Sequence, residues 1–192
     1  MSTLELNAQK TALVLIDLQN GIVSNPDVAP FSAAEVMSRA SQLAAAFRAN
    51  GATVVYVHVD MSHLLQLPVD SPMRAPGAPP PPATASDFAA QSGRLPDDLV
   101  ISKRHWGAFA GTALEQELRQ RGVETVVIGG ISTNQGVEST VRQGTGLGFA
   151  FVVAEDVCTS TMGAEAHQFA IEKIFPRLAR VRKTDEVLAG LS

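Results

Sequence analysis

Short apolar runs, TALVLID, ATVVYVHV, LVIS, TVVIGG and AFVVA, recur along the chain between segments of helical length. That alternation is what βαβ units around a parallel sheet require, and few other folds accommodate it. Near-continuous Val, Ile and Leu, with no polar residue at every second position, means that both faces of the sheet are covered. The runs predict strands over Thr11 to Asp17, Ala52 to Val59, Leu99 to Ser102, Thr125 to Gly130 and Ala150 to Ala154, with a shorter sixth near Ala179 to Arg182. Helices are predicted over Ser32 to Asn50, Thr112 to Arg121, Asn134 to Gly146, Ala164 to Phe175 and Asp185 to Leu191. Ser32 is a preferred N-cap, and Gly51 and Gly122 stop the first two. The expected architecture is a three-layer α/β/α, Rossmann-like fold with a six-stranded, mostly parallel sheet. A length of 192 residues can enclose such a core as a single domain over residues 1–192.

One stretch departs from the pattern. Most of the eleven prolines fall between Gln66 and Asp97, including the run Pro79 to Pro82. No packed helix or central strand holds that run, so residues 66–97 are expected to form a lid over a site or an arm to another subunit. The net charge of −4 argues against nucleic acid as a partner, because phosphate neutralisation needs clustered Lys and Arg. No run reaches the ~18 apolar residues of a membrane helix, and Met1 to Lys10 lacks a secretory pattern. A cytoplasmic protein that does not engage membranes is therefore expected. The single cysteine, Cys158, excludes an internal disulfide and a cysteine-rich metal site.

In parallel sheets ligands collect beyond the carboxyl ends of the strands, and three polar clusters fall there. Asp17 ends the first strand in LVLIDLQNG, Lys103 ends the third in VISKRHWGAF, and Ile131 to Glu138 follow the fourth in IGGISTNQGVES. An acid after four apolar strand residues is either a turn residue or a partly desolvated carboxyl. A lysine at a neighbouring strand end supplies the partner that a buried carboxylate needs, although such a pair could be purely structural. The third cluster adds a Gly-Gly turn and small polar residues opening a helix, whose free N–H groups can bind a developing oxyanion. Together the three mark a small-molecule site without naming its substrate.

The segments ALVLIDLQNG, ISKRHWGAFAGTALEQELRQRGVETVVIGGISTNQGVESTVR and VVAEDVCTS resemble the isochorismatase-like hydrolase superfamily over nearly the whole chain outside the proline-rich stretch. In its cysteine-hydrolase branch, which includes nicotinamidase and carbamoylsarcosine amidase, the resemblance implies that Asp17 is a general base. Lys103 would orient it and stabilise charge, and a cysteine at the helix start would be the nucleophile. It also implies a cis peptide between Ile131 and Ser132 that shapes an oxyanion hole. This sequence departs from the pattern where that cysteine is expected, reading Thr133-Asn134-Gln135-Gly136-Val137. Gly136 has no side chain to act with, and Cys158, expected in the loop after the fifth strand, is read as packing.

True isochorismatases resemble the rest of this site and also carry glycine there, because a vinyl ether can be hydrolysed without a covalent intermediate. The acid form of Asp17 would then protonate an enolpyruvyl methylene, and water would attack the oxocarbenium ion. That role needs burial, which raises the Asp17 pKa, to outweigh Lys103, which lowers it. Two alternatives remain open: an amidase using water activated by Asp17, and a noncatalytic member that binds a metabolite.

Gln19, Trp106, Phe109, Ile131, Ser132, Thr133, Asn134 and Gln135 are the expected substrate-binding residues, with His105 beside Lys103 lining the same pocket; Gln19 and Asn20 either orient substrate or satisfy a turn, and core packing could also account for Trp106 and Phe109. His58, Asp60 and His63 follow the second strand, where family nicotinamidases place a metal site. Their spacing does not match clearly and they are too few, so no metal and no other cofactor is assigned. The expected partners are a small-molecule substrate and further copies of the chain, as a homodimer or homotetramer.

Overall fold

The computed structural model describes residues 4–192. Six strands, β1 (Thr11–Ile16), β2 (Thr53–Val59), β3 (Leu99–Lys103), β4 (Thr125–Ile131), β5 (Ala150–Thr159) and β6 (Arg180–Arg182), form one sheet in the order β3-β2-β1-β4-β5-β6. All five neighbouring pairs are parallel, so the sheet is parallel throughout, beyond the mostly parallel arrangement expected. From β1 the chain first builds outward through β2 and β3, then returns to the other side of β1 with β4. The order therefore reverses between β1 and β4, and a crevice opens at their carboxyl ends.

The helices are α1 (Asn20–Val23), α2 (Ala33–Ala49), α3 (Leu114–Gln120), α4 (Glu138–Gly146), α5 (Ala164–Phe169) and α6 (Thr184–Gly190). Leu13 and Leu15 of β1 pack with Leu43 and Phe47 of α2 and Val187 of α6 on one face. Ala12, Val14 and Ile16 pack with Leu118 of α3 and Val141 of α4 on the other, which gives the three layers. Every residue of β1 is buried. Ser32 caps α2 through a reciprocal box, its amide donating to Glu35 Oε2 at 2.9 Å while its hydroxyl accepts from the Glu35 amide at 3.3 Å. No helix among the described residues is long and apolar enough to cross a membrane.

Three boundaries differ from expectation by more than two residues. β5 runs five residues beyond Ala154, because a register shift against β4 between Ile128 and Gly130 absorbs the polar pair Glu155 and Asp156. Asp156 Oδ1 accepts from the amide and hydroxyl of Thr184, both at 2.9 Å, and so holds the start of α6. Cys158 lies within this strand, not in a loop after it; it is fully buried, and burial pushes its thiol up to about 12. The predicted helix from Asn134 opens instead with a wider π turn over Thr133–Val137 before α4 begins. The one predicted from Ala164 to Phe175 passes from α5 into a π turn and then a 3-10 turn at Pro176, whose ring cannot continue a helix.

The proline-rich stretch has two parts with different attachments. Residues 84–89 lie antiparallel to residues 18–21, with Asn20 N donating to Asp87 O at 2.9 Å, Gly21 N to Ala85 O at 2.9 Å and Ala89 N to Leu18 O at 3.0 Å. Residues 64–74 instead hang over the carboxyl edge of the sheet, where they wall two cavities.

Candidate active site

Asp17 follows β1 directly and turns the chain out of the strand with φ +56°, a left-handed conformation that aspartate tolerates better than most residues and that concentrates at functional sites. Lys103 ends β3, two strands away, a separation of about 10 Å between backbones that a lysine stem can span. Its Nζ donates to Asp17 Oδ2 at 2.7 Å and to the His105 carbonyl at 3.0 Å, with both side chains almost wholly buried. Asp17 Oδ1 is buried and has no hydrogen-bond partner among the described residues; the nearby Val59 amide donates to Gln19 Oε1 at 2.7 Å instead.

Burial outweighs Lys103 and raises the Asp17 pKa above the usual carboxylate value. Lys103 compensates the charge at Oδ2 alone, and the unpartnered buried Oδ1 is the oxygen on which a proton is favoured. An acid with a raised folded pKa holds its proton longer in the folded chain than in the unfolded one. Its contribution is therefore full below the unfolded pKa and is lost as pH rises through the folded pKa.

The third wall is the loop after β4. The Ile131–Ser132 peptide is cis, as the sequence resemblance implied, and the π turn that follows brings Gly136 against the ion pair. A Cβ at Gly136 would lie 2.9 Å from Ile16 Cγ2, 3.1 Å from Asp17 Oδ2 and 3.6 Å from Lys103 Nζ. A side chain here would press on the acid itself.

Asp17, Lys103 and Gly136 share a cavity of about 250 Å³ with Ile131, Ser132, Gln135, His105 and Trp106. The remaining walls are Ile22, Val59, Met61, Leu64, Met73 and Thr161, so most of the surface is apolar. Sequence reading missed these six. Thr161 follows the VVAEDVCTS segment and could have been reached from it, whereas Leu64 and Met73 lie in or beside the proline-rich stretch, where no periodicity points to a face.

Four expected binding residues do not line this cavity. Gln19 is fully buried and its amide is consumed structurally, donating to Val59 O and Ala85 O, each at 3.0 Å, as well as accepting from Val59. It clamps the end of β2 to the returning loop. Asn20 likewise serves a turn, its amide donating to Thr84 O at 3.2 Å. Phe109 stacks on Phe149 with centroids 5.7 Å apart and belongs to the core under α4. Thr133 is buried against His167, with Oγ1 and Nδ1 2.8 Å apart. Asn134 accepts from Ser160 at 2.7 Å and from Ser132 at 3.1 Å, tying the ends of β4 and β5 together.

His58, Asp60 and His63 do not converge. His58 Nδ1 is 2.8 Å from Ser86 O with its ring against Phe88, while His63 and Asp60 pair at 2.9 Å on an exposed turn. Among the described residues no group of three or more His, Cys, Asp or Glu side chains is arranged to hold a metal ion.

Comparison with known proteins places the chain in a family. The sequence model of the Isochorismatase domain matches residues 11–186. The chain is similar to the isochorismatase family protein YecD of Escherichia coli O157:H7, at 48% identity over 98% of this chain and 100% of that one. A solved structure of an isochorismatase family protein from Burkholderia thailandensis superposes with a TM-score of 0.88 at 39% identity, covering 98% of each chain. The ureidoacrylate amidohydrolase RutB of Pantoea ananatis is 30% identical over 84% of this chain and 74% of its own.

Proposed function

The chain belongs to the isochorismatase family of hydrolases, and from that premise we propose that it hydrolyses a small molecule by acid catalysis at Asp17 without a thiol nucleophile, the bond cleaved being a vinyl ether like the enolpyruvyl ether of isochorismate. The observation that carries this reading is the absence of a side chain at Gly136, beside a buried acid with one unpartnered oxygen. No side chain at Gly136 stands between the cavity and Asp17, so the substrate can approach the acid from that side.

The chemistry balances with these residues alone. Asp17 gives its proton to the terminal methylene carbon, and the alkene π pair forms the new C–H bond, leaving an oxocarbenium ion. Water adds to that cation, and the resulting hemiketal breaks its C–O bond to release the alcohol and a ketone, pyruvate for an enolpyruvyl group. A proton lost from the added water restores the acid. Lys103 fixes the Asp17 side chain, so that the donor needs no reorganisation during transfer. Ser132, Gln135 and Trp106 contribute walls that hold the substrate.

Pyruvate release from isochorismate, compared between wild type and Asp17→Asn, tests the proposal; release that is independent of Asp17 would sink it. The pH profile is a second check. Because the acid form is the active one, kcat falls about tenfold per pH unit as pH rises above the raised Asp17 pKa. A carboxylate acting as general base would lose activity on the acid side instead. Gly136→Ala is expected to lower kcat about 10²-fold, because a Cβ 3.1 Å from Oδ2 and 2.9 Å from Ile16 displaces the acid. Circular dichroism should show the variant folded, and an unchanged kcat would mean that the space beside Asp17 is not used.

The amidohydrolase relative favours a second reading, amide hydrolysis by water activated at Asp17. It requires the carboxylate form, which burial disfavours. Ammonia release from ureidoacrylate with no pyruvate from isochorismate would select it. Turnover of neither, with retained ligand binding, would select a metabolite-binding role.

A further inference from the structure

The cavity at Asp17 does not end at Trp106. A second cavity of about 260 Å³ lies behind it and shares Leu64, Met73, His105 and Trp106 with the first, of about 250 Å³. Ligand pockets for small molecules usually enclose about 300–1,000 Å³. Each chamber alone falls short of that range, and the two joined fall inside it.

The second chamber is built from the segment before the proline run, chiefly Leu65, Leu67, Val69 and Pro72, with Gln66 and Ser71 among the polar residues. Leu65, Leu67, Val69 and Met73 stand between 43% and 56% exposed, and Trp106 is 37% exposed. Half of the exposed large hydrophobic side chains among the described residues are therefore gathered on one strip that opens into the catalytic cavity. Scattered exposed leucines need no explanation, but a contiguous set bordering a cavity marks a surface that something apolar covers. Arg74 is the one Asp, Glu, Lys or Arg side chain lining the chamber, and its guanidinium already donates to the Ala78 carbonyl.

We propose that the chamber under residues 64–74 is a subsite for an uncharged, apolar tail, so that the substrate class is a small reactive head at Asp17 carrying an alkyl or similar chain of several carbons. The occupant follows from continuity: the strip shares its walls with the catalytic cavity, and the shared residues Leu64, Met73 and Trp106 are themselves apolar. The tail would pass beside Trp106 and lie under Leu67 and Val69. The identity of the head rests on the hydrolase reading above; the subsite does not depend on which bond is broken.

Trp106 is the only tryptophan in the chain and sits between the chambers, so its fluorescence reports occupancy directly. Wild-type protein titrated with straight-chain primary alcohols from butanol to octanol should show Kd falling about fourfold for each added methylene until the chamber is full. These alcohols have no bond to hydrolyse, so binding is read without turnover. The double variant Leu67→Asp, Val69→Asp, at exposed positions that leave folding intact, should flatten the series. Equal affinities across the series, or an unchanged series in the double variant, would overturn the proposal. If the double variant instead lowers the mass measured by light scattering and leaves the series unchanged, the strip is a contact between copies and the subsite is refuted. Acetaldehyde release from ethyl vinyl ether tests the acid chemistry separately: its absence would count against that chemistry and leave the alcohol series standing.

Discussion

Asp17→Asn should lower kcat by about 10²- to 10⁴-fold, the range that a positioned general acid supplies, while ligand affinity read from Trp106 fluorescence stays within a few fold. Asparagine keeps the shape of the side chain and an oxygen for Lys103 Nζ to donate to, now at 2.7 Å from Oδ2, but it has no proton to give a carbon. Its separation of rate from affinity is what distinguishes an acid from a binding group. A variant that retains turnover within about tenfold would remove Asp17 from the chemistry, whatever its burial. Equal loss of turnover and affinity would instead make it a residue that shapes the pocket.

Gly130→Ala should cost more than about 4 kcal/mol, a large share of the roughly 5–15 kcal/mol by which domains are usually stable. Gly130 has φ +131° and pairs with Ile16 of β1, and a Cβ there would lie 2.1 Å from the Ile16 carbonyl oxygen and 2.7 Å from its nitrogen. Both atoms are backbone in the central strand, so no rotamer change relieves the clash. Either β4 must part from β1 or the loop that carries Ser132 and Gly136 must move. Gly122→Ala is the control, since Gly122 also has a positive φ, +68°, but has open space around it; about 1–2 kcal/mol is expected there. Equal unfolding midpoints for the two variants in urea would show that close approach of β1 and β4 does not set the cost.

These two residues illustrate what could be read in advance. Asp17 was recognisable only together with Lys103 and the Ile131 to Glu138 cluster, since an acid after an apolar strand run is by itself as readily a turn residue. Gly130 belongs to the Gly-Gly pair expected as a turn, but both glycines lie inside β4, and nothing local says that the missing side chain makes room for the backbone of a strand more than 100 positions away. Gln19 shows the opposite case. Its place next to Asp17 suggested substrate contact, and only the return of residues 84–89 reveals that its amide is spent on Val59 and Ala85. Phe109 was drawn to the pocket by its neighbour Trp106, but it faces the core because Ala108 N and Phe109 N are tied to Thr140 and Gln143 of α4.

The sequence by itself determined the layers, the strands and the three strand-end clusters, since those depend on periodicity and on which residue types can terminate a buried run. It also determined that position 136 carries no thiol, a matter of residue identity alone, whereas the place of Cys158, buried inside β5, was decided by the fold. The tertiary structure decided which way the balance at Asp17 falls, because desolvation depends on every side chain packed around the carboxyl and Lys103 contributes only part of it. It likewise decided where the aperiodic stretch lies. Residues 64–74 carry no pattern that locates them, and their position over the carboxyl edge follows from long-range packing and backbone hydrogen bonds between segments far apart in the chain.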